Sequence, residues 1–103
     1  MDITVQAHHM ELSNMLRTRA ERVIGRLGSL LHWPVDAIVR FEQDGGTRKV
    51  EIVLHTPRRR ALVGAARHRS AGPALAEAAR RVEAQILHLK RPANERRPRT
   101  ARA

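Results

Sequence analysis

The sequence predicts an α+β domain with the element order β-α-β-β-β-α, in which two helices pack on one face of a four-stranded sheet. Three segments alternate apolar and polar residues with period two, which is typical of strands that bury one face, and a short apolar run at 61–66 predicts a fourth strand. Two longer segments place their apolar residues on one helical stripe. The chain has 103 residues, enough for one such domain and not for two.

The first half of the chain predicts a strand-helix-strand unit. Residues 2–7 alternate, and Ser13 suits the N-cap of a helix whose apolar stripe extends to Leu31. Pro34 disfavours helix at the residue before it and so ends the helix. Residues 35–43 alternate again. This order predicts a right-handed crossover between two strands.

The second half predicts a strand meander followed by a helix. The sequence Asp-Gly-Gly at 44–46 is a strong hairpin signal, because glycine accepts a positive φ. Residues 47–55 form the third predicted strand, and Pro57 suits the second position of the next turn. A short fourth strand is predicted at 61–66. The last helix is predicted at about 74–90.

We expect residues 1–91 to form the domain and residues 92–103 to form a basic, disordered tail, since the tail has no apolar residue larger than alanine. The chain has no cysteine, which excludes disulfides and thiolate metal sites. Its start has no apolar run long enough for a signal peptide or a membrane helix. A cytoplasmic location is therefore expected.

The positive charge is concentrated in one part of the chain. The formal net charge is +10, and 18 of the 20 basic residues are arginine. Residues 1–56 contain seven basic and seven acidic residues, whereas residues 57–103 contain thirteen and three. Such an uneven field attracts polyanions, nucleic acid first and an anionic membrane second. Guanidinium groups suit this role because each can hold a phosphate with two hydrogen bonds.

The candidate nucleic-acid-binding residues fall in consecutive elements that must be neighbours in space. One group follows the third strand, another ends the fourth strand, and the remainder continue along the last helix. An ordinary solvated surface is the alternative for any charged segment, but the scarcity of acids here favours polyanion binding. The candidates are Arg58, Arg59, Arg60, Arg67, Arg69, Arg80, Arg81, His88, Lys90 and Arg91.

Aromatic residues are too few for binding through base stacking. The chain has one Trp, one Phe and no Tyr, and Trp33 is predicted to fill the core beneath the first helix. Single-strand binders usually stack bases on exposed aromatic rings. Binding here is therefore expected to depend on phosphate contacts and on shape.

The sequence offers no pattern for catalysis or metal binding. The six histidines form no pair or His–carboxylate cluster with the spacing of zinc ligands. No Ser-His-acid arrangement, phosphate-binding glycine loop or pair of buried carboxylates stands out. We therefore predict a non-enzymatic protein with no cofactor, no metal and no small-molecule substrate. An enzyme with an unrecognised site is the least favoured class.

Two segments together resemble a known family. Ala7-His8-His9, followed by Glu11-Leu12-Ser13-Asn14-Met15-Leu16-Arg17, is similar to the turn and helix entry of the ribosome hibernation-promoting factors, the ribosome-associated inhibitor (protein Y) family. The sequence VEIVLHT at 50–56 resembles the third strand of that family. Two segments depart from the family pattern: the turn at 57–60 and the entry to the last helix at 70–75. There is no room for the dimerising C-terminal domain of long members, so the chain looks like a divergent short form.

This resemblance implies a fold similar to double-stranded RNA-binding domains. It also implies binding to the small ribosomal subunit, in the decoding channel where mRNA and tRNA would sit. The folded domain would act as a plug that is held by rRNA phosphates and keeps an idle ribosome from initiating. We expect a monomer when free, with no membrane partner. The alternative is a stand-alone basic RNA- or DNA-binding regulator that does not act on ribosomes.

Overall fold

The computed structural model describes residues 2–31, 36–57 and 61–90. The order of helices and strands is the predicted one, and the α+β fold class is confirmed. The elements are β1 (Ile3–His8), α1 (Asn14–Ser29), β2 (Asp36–Asp44), β3 (Thr47–His55), β4 (Leu62–His68) and α2 (Ala71–Lys90).

The four strands form one mixed sheet in the order β1-β2-β3-β4. β1 lies parallel to β2, as the strand-helix-strand order predicts, and the other neighbouring strands are antiparallel. Asp44 pairs with Thr47 at the end of the β2–β3 hairpin. Gly45, in the two-residue turn between them, has a φ of 62°, a conformation that glycine adopts without strain.

Helix α1 begins where the sequence predicts. The Ser13 hydroxyl accepts a hydrogen bond from the Leu16 backbone N–H at 3.1 Å, which caps the first turn. The helix ends at Ser29. The predictions for Trp33 and Pro34 fall outside the described residues, so the expected core position of Trp33 stays a prediction.

Several element bounds differ from the sequence prediction, β1 and β2 by one residue and α2 and β4 by more. Helix α2 begins at Ala71, three residues before the predicted start, and its first turn includes Pro73. Proline is tolerated there because the first N–H groups of a helix have no partner within the helix. Strand β4 continues through His68 rather than ending at residue 66, so Arg67 lies within it.

Both helices pack on the same face of the sheet and share one apolar core with it. In the described residues no polar or charged side chain is buried. Gly64 permits close contact between β4 and α2, because a Cβ at this position would meet the Ala78 carbonyl oxygen and lie 2.8 Å from Val82 Cγ2. The largest fully buried side chains are Phe41, Ile24, Leu27, Ile52, Leu54, Leu75, Ile86, Val39, Val50 and Val82.

The other face of the sheet is open. Neither α1 nor α2 combines the length and the apolar character that a membrane-spanning helix needs.

Candidate nucleic-acid interface

The described candidate residues lie at two ends of β4 and along α2. Side-chain contacts show that α2 runs back along β4: Glu77 contacts His68 near the start of the helix, and Gln85 contacts Val63 further along it. Arg67 and Arg69 therefore lie at the end of β4 where α2 begins. His88 and Lys90 lie at the opposite end, and Arg80 and Arg81 lie between the two ends. All of these candidates are exposed.

Four candidates lie outside the described residues. They are Arg58, Arg59, Arg60 and Arg91. They come just before β4 and just after α2 in the chain, and their role stays a sequence prediction.

Two of the described candidates already have partners in the protein. The Arg67 guanidinium lies 3.3 Å from Asp44 Oδ2, although 55% of its side chain remains exposed. Arg81 Nη1 donates to the Ala65 carbonyl at 2.6 Å, and Arg81 Nη2 lies 3.7 Å from Glu77 Oε2. Exposed ion pairs of this kind contribute only about 0–1 kcal/mol each. A phosphate could therefore replace the carboxylate at little cost.

The open face of the sheet is not a positive surface. Basic and acidic residues lie opposite each other on neighbouring strands. Arg40 Nη1 lies 3.1 Å from Glu51 Oε1, and Glu42 pairs in register with Lys49. The face has three basic residues and four acidic ones, with histidines counted as neutral. They are Arg40, Lys49, Arg67, Asp36, Glu42, Asp44 and Glu51.

The two helices form a positive surface, which we call the helical layer. Helices α1 and α2 together have seven Lys and Arg residues and three Glu residues. An interhelical ion pair joins Arg26 Nη1 to Glu83 Oε1 at 3.0 Å. The charged residues of the layer are Arg17, Arg19, Arg22, Arg26, Arg80, Arg81, Lys90, Glu21, Glu77 and Glu83. The layer is therefore the face of the domain that favours a polyanion.

Sequence reasoning did not include the α1 arginines among the candidate residues. Arg19, Arg22 and Arg26 lie on one flank of the apolar stripe, and the equal numbers of acids and bases in residues 1–56 concealed them. The acids of that half fall mainly on the sheet, whereas its arginines fall mainly on α1. Charge counted per element, rather than per half of the chain, would have identified them.

The described residues show no arrangement for metal chemistry. No group of three or more His, Asp or Glu side chains among residues 2–31, 36–57 and 61–90 could hold a metal ion. A shallow depression on the open face is lined by His8, Arg40, Glu42, Lys49 and Glu51. Within it the Arg40 guanidinium is already engaged, because it donates to Glu51 Oε1 and, at 3.2 Å, to Gln6 Oε1.

The fold is a small α+β domain whose helical layer carries an excess of positive charge. The chain belongs to the family described as "Sigma 54 modulation protein / S30EA ribosomal protein", whose model matches residues 3–94. This membership confirms the family resemblance found in the sequence. The family is one of ribosome-associated proteins and not of enzymes. Comparison with curated proteins gave no significant match.

Two solved structures show the same fold. The N-terminal domain of Protein Y from Thermus thermophilus is 20% identical, with a TM-score of 0.78 over 87% of this chain and 100% of that one. A ribosomal subunit interface protein from Coxiella burnetii is 16% identical, with a TM-score of 0.75 over 87% of this chain and 98% of that one. At these identities the likeness is evidence for the fold.

Proposed function

We propose that the protein binds the small ribosomal subunit and blocks translation in idle ribosomes by occupying the channel where mRNA and tRNA would sit. The observation that supports this most is the positive helical layer on a domain of the S30EA ribosomal protein family. One of the two structural relatives is a ribosomal subunit interface protein, which agrees with a ribosomal partner.

Binding would occur through the phosphate backbone of rRNA. Each phosphate that a Lys or Arg neutralises releases counterions, which favours binding at low salt. The helical layer would face the rRNA, and the open face of the sheet, which is slightly acidic, would face away. The exposed basic residues of the layer, His88, and the predicted arginines at 58–60 and 91 would form most of the contact surface. Arg67 and Arg69, at the end of the edge strand β4 where α2 begins, would extend it, although Arg67 itself lies on the open face.

Inhibition would follow from occupancy alone. Both helices and all four strands share one apolar core, so the described domain would enter the channel as a rigid body. A folded domain in a channel that must admit mRNA and tRNA excludes both sterically. No covalent step and no cofactor are needed, and the site of action is expected to be cytoplasmic.

The alternative is a basic regulator that binds RNA or DNA without the ribosome. Both functions use the same positive surface, so charge alone does not separate them. Family membership favours the ribosome. Co-sedimentation separates the two: the purified protein is loaded on sucrose gradients with small subunits, with large subunits, or with an equal mass of duplex RNA.

We expect co-migration with small subunits and little with large subunits or duplex RNA. Equal retention on all three would indicate general polyanion binding and would support the alternative. No retention on small subunits at low salt would contradict the proposed function.

A further inference from the structure

Two guanidinium groups from different elements lie against the short link between β4 and α2. Arg48, at the start of β3, donates from Nη1 to the Arg69 carbonyl oxygen at 3.1 Å. Arg19 reaches the first turn of α2 from α1: its Nη1 is 2.9 Å from the position that a Cβ on Gly72 would occupy. The link at residues 69–70 and the first turn of α2 therefore lie against one positive group from the sheet and one from the other helix.

Neither group is neutralised by a carboxylate in the described part of the chain. The ion pairs found there engage other basic side chains, on α1, α2, β2 and β4. Arg69, within the link, is exposed and also has no carboxylate partner among the described residues. Positive groups without a carboxylate partner leave an attraction that a bound anion can satisfy.

Gly72 makes room for one of these groups. A Cβ at this position would overlap the Arg19 guanidinium, whereas nothing described lies within 4 Å of a Cβ placed on Gly25 of α1. Gly72 therefore leaves free the space that the Arg19 guanidinium occupies against the first turn of α2.

We propose that Arg19, Arg48 and Arg69 form a phosphate-binding site at the β4–α2 link, whose ligand is one phosphodiester of the rRNA backbone. This inference rests on the proposed function for the source of the phosphate. Guanidinium groups suit a phosphate because their planar N–H donors match two of its oxygens. The site would anchor the helical layer at the start of α2, while the other exposed arginines contribute a more diffuse attraction.

The substitution Gly72→Ala tests the site without removing a charge. The atom that must move is the end of a flexible side chain, so we expect the variant to fold and to melt no lower than wild type. Gly25→Ala is the matched control, since it also replaces a helical glycine but displaces nothing. Arg48→Ala removes the second group directly. Affinity for small subunits is measured for the four proteins over a series of KCl concentrations.

We expect Gly72→Ala and Arg48→Ala each to weaken binding about tenfold, as loss of a charge-assisted hydrogen bond does. The slope of log K against log salt should become shallower by about one for each. Gly25→Ala should bind like wild type. If Gly72→Ala and Arg48→Ala both keep the wild-type affinity and slope, the site is not a phosphate contact.

A second measurement does not need the ribosome. In an NMR titration of the wild-type protein with inorganic pyrophosphate, the Gly72 amide and the Arg19 Nε–H should shift more than the Gly25 and Gly45 amides. Such shifts without subunit binding would retain the phosphate site and reject the ribosomal function. If the protein binds subunits but shows neither these shifts nor an effect of the variants, the ribosomal function is retained and the phosphate site is rejected. Saturation by free pyrophosphate at physiological salt, with subunit binding unchanged in the variants, would assign the site to a small phosphate ligand and overturn the rRNA assignment.

Discussion

The side-chain amide of Gln85 forms two hydrogen bonds with the backbone of Val63. Its Oε1 accepts from the Val63 N–H at 3.2 Å, and its Nε2 donates to the Val63 carbonyl at 2.6 Å. Two residues along the same edge strand, the Ala65 carbonyl accepts from Arg81. Helix α2 thus supplies hydrogen-bond partners for backbone groups of β4. Without them, these groups of an edge strand could pair with a strand of another chain and promote aggregation.

The first prediction concerns this contact. Gln85→Ala removes both hydrogen bonds and should lower the free energy of unfolding by about 1–3 kcal/mol, since each is worth roughly 0.5–1.5 kcal/mol. Urea denaturation, monitored by circular dichroism, measures the change in the free energy of unfolding. Gln43→Ala is the control, because the Gln43 side chain makes no hydrogen bond within the described residues. Equal stability of the two variants would show that the amide does not hold α2 to β4.

The second prediction concerns the packing of α2 on β4. Gly64→Ala should destabilise the domain by about 1–3 kcal/mol, because its Cβ would overlap the helix backbone at Ala78 and the Val82 side chain. A loss of this size lowers the melting temperature of a domain this small by about 4–8 °C per kcal/mol. Gly25→Ala, which meets no described atom within 4 Å, should melt at or above the wild-type temperature. A Gly64→Ala protein as stable as wild type would contradict the close approach of helix and strand.

The third prediction compares the two faces of the domain. Replacing Arg17 and Arg22 of α1 by Ala removes two charges from the helical layer, and replacing Arg40 and Lys49 by Ala removes two from the open face. We expect the first pair to make the salt slope of subunit binding shallower by up to about two, and the second pair to change it little. Salt titrations of both double variants provide the measurement. A larger effect from the open-face pair would mean that the sheet, and not the helical layer, faces the rRNA.

The fourth prediction concerns the arginines that follow Pro57. Replacing Arg58, Arg59 and Arg60 together by Ala should make the salt slope shallower by about one to three and leave the fold intact. Thermal melting checks the fold. Truncation after Arg91 is the comparison: it removes four basic residues, and we expect it to cost less affinity, because ordering a tail on binding offsets part of its contact energy. The reverse order of effects would make the tail the binding element.

Local patterns were sufficient for most of the fold but not for the site. The bounds of β3 at 47–55 follow directly from the hairpin signal and the alternation, and the structure confirms them. The start of α2 was predicted three residues late, because Gly72-Pro73 also suits a loop and only the fold shows that these residues form the first turn. The positions of Arg19 and Arg48 depend on how α1, β3 and α2 meet, which no local pattern encodes.

The central claim is that the protein occupies the mRNA and tRNA channel of the small subunit. The most direct test measures the release of labelled mRNA and initiator tRNA from small subunits as the protein is added. We predict that the protein and the two RNAs exclude each other. The protein concentration that releases half of the labelled mRNA should therefore rise in proportion to the mRNA concentration. Binding of the protein to subunits that retain both mRNA and tRNA would contradict the account.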